Sequence, residues 1–312
     1  MPPSSPVPRI RSAALVGLGA VGTLFAARIA EHAAEGLSFR VLADAARIRR
    51  YRTDPPVFNG RPLALSYADP AETAPTPADL ILVTVKSHHL CEAMDVLAAF
   101  MAPHTQILPL LNGIEARPRL AERFGEARVL YGLVFCNSAM RTGRCVRQDG
   151  AARIVFGEAH NPVPPAARVR SVADFFAQCG IDAEVPADMQ AALWRKFILN
   201  TGLNQAEAIY RLTHGALRGH AEAISFAIGL MDEAAAIAAA VGIPHAQQLA
   251  EEALHAFAVL SPEGKSSMLQ DIEAGRPPEI DLFAGTIVRL GRQYGIPTPL
   301  NGDVLRRLQP KT

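Results

Sequence analysis

The sequence has no excess of charge: 31 lysine and arginine residues stand against 30 aspartate and glutamate, a formal net charge of +1. Nucleic acids and anionic membranes are bound through a basic stripe, and a balanced chain offers none. Aromatic residues are scarce, at 6%, which argues against platforms on which bases stack. Cysteine is sparse and scattered: Cys91, Cys136, Cys145 and Cys179 form no C-x-x-C pair. Such usage excludes a disulfide framework and fits a reducing cytosol, so a cytoplasmic location is expected. Nine histidines are present without an H-E-x-x-H, and the nearest candidates, His245 and His255, have the wrong spacing for a zinc helix. No metal site is expected. Arg9 and Arg11 before the apolar stretch 13–27 have the look of a signal peptide. That stretch is too short and glycine-rich for a membrane span, and the motif inside it explains it better. Residues 1–9, with Pro2, Pro3, Pro6 and Pro8 beside Ser4 and Ser5, read as a frayed leader.

What is present suits two domains. The chain has 312 residues, 49% apolar and 20% charged, enough to bury sizeable cores. Short apolar runs end at Val16 and span 39–43, 78–85, 106–111 and 128–135, with helical stretches such as 20–34 between them. The run 78–85 is apolar almost throughout, the pattern of a strand buried on both faces of a parallel sheet. Strands alternating with helices predict βαβ units in a doubly wound sheet, to which 153–156 adds a late antiparallel strand. Beyond Pro186 the strand signal disappears. Helical patterns follow, among them 221–241, closed by Gly242 and Pro244, and 279–294, entered through Pro277-Pro278 and closed by Gly295. The expected fold class is α/β, with a doubly wound sheet over 1–186 and an all-helical domain over 187–312.

Directly after the first strand stands Gly17-Leu18-Gly19-Ala20-Val21-Gly22, a G-x-G-x-x-G that opens a helix. The first glycine allows the tight turn, the second lets backbone N–H groups approach a pyrophosphate, and the third lets helix pack on strand. The helix N-terminus brings partial positive charge to the diphosphate. A Rossmann-type dinucleotide site is the resulting expectation. Asp44 ends the second strand, 22 residues beyond Gly22, where an acid binds the ribose hydroxyls of NAD. Arg47, Arg49, Arg50 and Arg52 follow at once and suit the 2′-phosphate of NADP, or simply a solvated helix face. The residues alone leave that choice open.

In the second half, Lys196, Asn200 and Asn204 are spaced i, i+4 and i+8, so on a helix they drift by only ~40° per step. One face then carries an ammonium and two amides. A solvated face is the bland reading, yet asparagine is a poor helix former and Gly202 lies among them; such poor local choices tend to mark functional positions. A second cluster is Ser266-Ser267-Met268-Leu269-Gln270-Asp271, followed by Glu279-Ile280-Asp281. The serines cap a short helix ending at Gly275, and a capped N-terminus equally suits a substrate carboxylate. Glu279 starts a helix, where an acid is favoured by the dipole alone.

With these motifs assembled, nearly the whole chain resembles the ketopantoate reductase (2-dehydropantoate 2-reductase) family. The carriers are Gly17-x-Gly19-x-x-Gly22, Val83-Thr84-Val85-Lys86, Leu111-Asn112-Gly113, Leu193-Trp194-x-Lys196-x3-Asn200-x3-Asn204, and the 266–271 run with Glu279-Ile280-Asp281. The resemblance implies NADPH-dependent reduction of ketopantoate to pantoate, within pantothenate biosynthesis. It makes Lys196 the general acid that protonates the keto oxygen and Glu279 the group that holds the nascent hydroxyl and orients Lys196. Asn200 and Asn204 would bond the substrate and Ser267 its carboxylate, with Lys86 and Asn112 at the cofactor–substrate junction. The 17–22 turn, Asp44 and Arg50 complete the cofactor contacts. NADPH is favoured by the family, and NAD stays open through Asp44.

Three positions depart from the family pattern: Gly264 and Ala284 where asparagines are common, and Gln205 in place of a proline. Losing a buried hydrogen-bond partner costs on the order of 1–3 kcal/mol, enough to change substrate preference. The alternatives are therefore a related reductase of another small 2-keto acid and, from a different class, a non-catalytic dinucleotide sensor. The partner expected is a small keto acid, with neither nucleic acid nor membrane, and the helical domain offers an apolar face for a homodimer.

Overall fold

The structure, a computed structural model, describes residues 9–32, 36–71, 74–136 and 139–308. Of the leader read at 1–9, residues 1–8 lie outside the described residues. The chain divides into two compact units, Met1–Met189 and Gln190–Thr312.

The first unit is built on β1 (Ser12–Val16), β2 (Ser38–Leu42), the short β3 (Val57–Phe58), β4 (Arg61–Pro62) and β5 (Tyr67–Ala68), then β6 (Leu80–Val83) and β7 (Gln106–Pro109). Five of these form one sheet in the order β5-β2-β1-β6-β7, with every pairing parallel. From β1 the chain winds first one way and later the other, so the order reverses between β1 and β6. In such sheets ligands bind beyond the C-terminal strand ends at that reversal. The apolar runs lack alternation because both faces are covered. Ala13, Leu15, Leu80, Leu82 and Leu108 pack with Phe25 and Ile29 of α1 (Ala20–His32) and with Phe175 and Phe176 further along. Their neighbours Ala14, Val16, Ile81, Val83 and Ile107 pack on the other face. Covering that face beyond α2 (Ala45–Thr53) are α3 (Leu90–Ala98), through Leu90, Met94 and Leu97, and α4 (Ala116–Phe124), through Leu120. Burying each large side chain in these layers contributes about 1.5–3 kcal/mol.

The run read at 128–135 does not extend the parallel sheet. It touches β7 through one parallel bridge, Ile107 to Val129, then continues as β8 (Tyr131–Cys136). With it come β9 (Ala139–Thr142), β10 (Cys145–Gln148), β11 (Ala152–Gly157), α5 (Ala167–Gln178), which carries Phe175 and Phe176, and β12 (Asp182–Glu184). β11 pairs antiparallel with β8 and parallel with β12, so the late antiparallel strand is found in a sheet of its own. β4, β3, β10 and β9 make a further small sheet. Two-residue strands leave no periodicity to read, which is why β3, β4 and β5 are silent in the sequence.

The second unit is helical among its described residues: α6 (Met189–Tyr210), α7 (His214–Gly219), α8 (Ala221–Val241), α9 (Ala246–Ala258), α10 (Ser267–Glu273), α11 (Thr286–Tyr294) and α12 (Pro299–Leu308). α8 ends at Gly242 with φ +96° and an Ile243 N–H to Ala238 bond of 2.9 Å, the stop its sequence announces. It is the one described helix long and apolar enough to cross a membrane. In the unit it buries Ala227, Leu230, Met231 and Ala234, and α7, α9, α11 and α12 pack around it. The helix expected over 279–294 is interrupted. Residues Asp281–Gly285 form a π-helical turn, and regular α-helix resumes only at Thr286.

Candidate functional site

In the first unit the 17–22 turn joins β1 to α1. A Cβ on Gly17, whose φ is +100°, would stand 2.7 Å from Val85 Cγ1, and one on Gly22 only 1.9 Å from the Gly17 carbonyl oxygen. The chain's own packing therefore demands both glycines. Gly19 differs: its nearest neighbour would be the Thr84 carbonyl oxygen at 3.9 Å, ordinary contact. The fold does not require glycine there, and a bare backbone leaves the cradle open to a ligand. Thr84 Oγ1 donates to the Gly17 carbonyl at 2.7 Å and pins the turn to the end of β6. The first hydrogen bond back into the turn is Thr23 N–H to Gly19 at 3.0 Å. The N–H groups of residues 19–22 find no acceptor among the described residues, as at any uncapped helix start. Donors without acceptors beside an open glycine suit a diphosphate.

Lys86 follows β6 and is exposed; Asn112 follows β7 and is half-buried. Parallel pairing of β1 with β6 and of β6 with β7 places both at the same sheet edge as the glycine turn. Asp44 lies beyond β2 at that edge, but the structure gives it work of its own. Its side chain caps α2, accepting from the Arg47 N–H at 2.7 Å and from the Arg47 guanidinium at 3.0 Å. Arg47 also donates to Glu92 at 2.9 Å, and that bond, with Asp44 beside it, raises its pKa. Arg49, Arg50 and Arg52 are exposed and have no carboxylate partner among the described residues; Arg50 lies over the Tyr51 ring at 5.3 Å.

In the second unit α6 is anchored by Trp194 and Phe197, whose rings meet edge-on at 5.6 Å, and Phe197 stacks on Phe283 of the π turn at 5.9 Å. Those contacts fix the half-buried Lys196 on a rigid element. Asn200 and Asn204 share its face, and neither amide has a hydrogen-bond partner among the described residues, although Asn204 is only 5% exposed. Gly202, by contrast, has a packing reason: a Cβ there would meet Met231 Cγ at 2.4 Å and the Ala227 carbonyl at 2.6 Å, so it lets α6 cross α8 closely.

Sequence reasoning missed Glu207, which completes this face. Eleven residues after Lys196, it points within about 20° of the same direction. Fully buried, it accepts the Ser266 N–H at 2.7 Å and pairs with His214 Nδ1. The spacing was readable, but a glutamate near a helix end normally passes as solvated. Ser266 caps α10 through Leu269 N–H at 3.3 Å, which commits its hydroxyl, while Ser267 is exposed beside it. The tie from Glu207 thus brings Ser267 to the end of the stripe that holds Asn204.

Glu279 precedes the π turn, and Gln205 accounts for that turn. Its fully buried amide accepts the Ala284 N–H at 3.0 Å, which a regular helix would give to its own carbonyl. It donates to the Thr201 carbonyl at 2.7 Å and to Asn301 Oδ1 at 3.0 Å. Asn301 in turn donates to Glu233, which caps the start of α12 through Leu300 and Asn301 N–H. Gln205 and Ala284, separate departures in the sequence, are therefore bonded to each other. Ala284 is fully buried inside the unit, so its missing amide is not one lost from an open substrate face. Among the described residues no three His, Cys, Asp or Glu side chains gather as a metal would need.

Comparison with known proteins follows the same division. The model of the ketopantoate reductase PanE/ApbA family matches residues 13–161, and its C-terminal counterpart matches 188–312. The 2-dehydropantoate 2-reductase of Shigella flexneri is 27% identical over 303 residues, covering 95% of this chain and 94% of its own. The crystal structure of 2-dehydropantoate 2-reductase from Geobacter metallireducens superposes with a TM-score of 0.78 at 25% identity, over 96% of this chain and all of that one. A D-mandelate dehydrogenase bound to NADH and anilino(oxo)acetate gives a TM-score of 0.82 over 95% of this chain and 97% of that one; at 21% identity the likeness is one of fold. With both halves matched in order, this chain belongs to the ketopantoate reductase family and, with it, to the nicotinamide-dependent oxidoreductases.

Proposed function

We propose that the chain reduces a small 2-keto acid to the 2-hydroxy acid with NADPH, with ketopantoate as the first substrate to try. The observation that carries this is the α6 face, where Lys196 shares a stripe with two amides that have no hydrogen-bond partner among the described residues. A polar ligand atom completes Asn204, and a bare sensor of nucleotides has no use for it. The first unit holds the dinucleotide at Gly17–Gly22, with Lys86 and Asn112 along the same edge. When bound, the reduced nicotinamide supplies the hydride. Lys196 donates the proton that the keto oxygen acquires, and its positive charge stabilises the alkoxide as it develops. Glu279 holds the new hydroxyl and keeps the ammonium aimed, while Asn200, Asn204 and Ser267 fix the acid.

NADPH is favoured over NADH because Asp44 is occupied as a cap and Arg49, Arg50 and Arg52 have no carboxylate partner among the described residues. The loss of reduced-nicotinamide absorbance, followed with both nucleotides and a panel of 2-keto acids, tests the reading. Turnover with ketopantoate and NADPH is the expected result. Turnover only with a different 2-keto acid keeps the chemistry and replaces the substrate, an outcome that the glycine at 264 would favour. Silence across the panel with nucleotide still bound would sink the reading.

A further inference from the structure

Phe197, Thr201 and Gln205 each follow a member of the Lys196–Asn200–Asn204 stripe by one residue. They form a second stripe along α6, turned by about 100° from the first. All three are buried, and the π turn docks at both ends of this stripe. Phe283 stacks on Phe197 at 5.9 Å, and the Ala284 N–H donates to Gln205 at 3.0 Å. Gln205 cannot swing away, because its amide nitrogen donates to the Thr201 carbonyl and to Asn301 Oδ1.

The hydrogen bonds of the turn show what the docking does. Thr286 N–H reaches back five residues to the Asp281 carbonyl, the pattern of a π turn. Such a turn holds one residue more than an α-helical one, which swings the chain before it by about 100° around the helix axis. In an unbroken helix the Ala284 N–H would return to the Ile280 carbonyl four residues back; here the Gln205 oxygen takes it. Glu279 stands two residues ahead of the turn and feels the whole swing. The link behind it is stiff: Pro277 and Pro278 have fixed φ, and the Ile280 N–H closes on the Pro278 carbonyl at 2.9 Å. Its far end is pinned at Arg276, whose N–H donates to the Asp271 carbonyl at 2.8 Å and whose guanidinium donates to the Asp271 carboxylate at 2.9 Å.

We propose that Gln205 is a positioning residue for the reduction: by taking the Ala284 N–H it maintains the π turn, and the π turn keeps Glu279 directed at the Lys196 stripe. Gln205 lies on the neighbouring stripe and acts only through Glu279. α6 then carries Lys196 on one face and, on the next, the residue that sets the partner of Lys196. The inference rests on the 2-keto acid reading above and deepens it.

Gln205→Met keeps the length of the side chain and removes the acceptor, so the Ala284 N–H returns to Ile280 and Glu279 turns away. With the 2-keto acid that wild type reduces, kcat should fall by about ten- to a hundredfold, as when a reacting group is slightly misplaced. The KM for the acid and the Kd for NADPH should stay within about threefold, since the groups that bind them are not moved. Glu279→Gln completes a cycle: it should lower kcat in wild type and add little in the Gln205→Met background, where the carboxylate is already displaced. Losses that multiply overturn the inference while the reductase reading stands. Gln205→Glu keeps the acceptor and should keep kcat within about threefold of wild type although its unfolding midpoint falls. Activity lost in step with stability in both Gln205 variants would mean that the amide only braces the unit, and would refute positioning. If Gln205→Met does not fold, Asn301→Ala, which frees the far side of the amide, replaces it in the cycle, and multiplying losses there overturn the inference equally. If wild type reduces no 2-keto acid, the reading falls and this inference falls with it.

Discussion

The two units carry their conspicuous residues for different reasons. In the first, Gly17 and Gly22 are glycine because neighbouring backbone leaves no room for a Cβ, and Thr84 locks the turn that results. Only Gly19 is glycine without an internal cause. In the second, the conspicuous residues are polar and fall into two sets. Gln205, Asn301 and Glu207 are buried and Glu233 is half-buried, all paired with one another or with backbone, whereas Asn200 and Asn204 have no hydrogen-bond partner among the described residues. A motif is evidence of function where the protein's own packing does not consume it. By that measure Gly19 and Asn204 say more than Gly22 or Gln205.

The sharpest way to break the comparison is at Lys196. Lys196→Ala should lower kcat by about 10²–10⁴-fold, the range for losing a positioned acid, and leave the NADPH Kd unchanged. Weakened nucleotide binding together with intact turnover would reverse the roles given to the units. Gln205→Ala comes next. Leaving the Ala284 N–H and the Asn301 amide oxygen without their partner should destabilise the helical unit by about 1–3 kcal/mol in denaturant unfolding. Gln205→Glu keeps the acceptor but adds a buried charge and should cost no less, because a buried unpaired charge is dearer than a lost amide. An unchanged midpoint in either would mean that the π turn stands without this amide.

A smaller effect is expected on the nucleotide side. Arg50→Ala should raise the KM for NADPH by about fivefold or less and leave that for NADH alone, since an exposed ion pair is worth at most about 1 kcal/mol. Equal changes for both nucleotides would remove the arginines from the 2′-phosphate. The smallest concerns the start of the sheet. Asp79 accepts the N–H groups of Arg11 at 2.8 Å and Ser12 at 2.9 Å; burial opposes its ionisation, yet these bonds prevail and hold its pKa below the usual aspartate range. A depressed carboxylate stabilises above its unfolded pKa of about 3.9, and that stabilisation is lost as pH falls through the lower folded value. Asp79→Asn should thus be less stable than wild type at neutral pH, with the gap closing below about pH 4. A gap constant with pH would show that the carboxylate's charge has no part in it.

Much of this was readable in advance, and the failures share a cause. Strands β1, β2, β6 and β7 could be found because each is a contiguous apolar run, and the glycine turn because its chemistry lies within six neighbouring residues. The α6 stripe followed from helical spacing once the helix was recognised. Glu207 and His214 could not be paired from sequence, because His214 lies beyond the end of α6. Gly264 and Ala284 looked like two lost amides until packing showed the His214 ring against one and a buried bond to Gln205 at the other. The helix over 279–294 looked continuous because the amide that opens it comes from another helix.

The sequence by itself determined the class of protein: a sheet with both faces covered, a turn shaped for a diphosphate, and a helix with an ammonium and two amides on one side. Those properties are periodic or contiguous, and local sterics enforce them wherever the chain goes. Tertiary structure alone decided which polar residues are spent on the fold and which remain to be filled. Pairing of buried polar groups depends on what the third dimension brings within about 3 Å, and neighbours in sequence do not fix that.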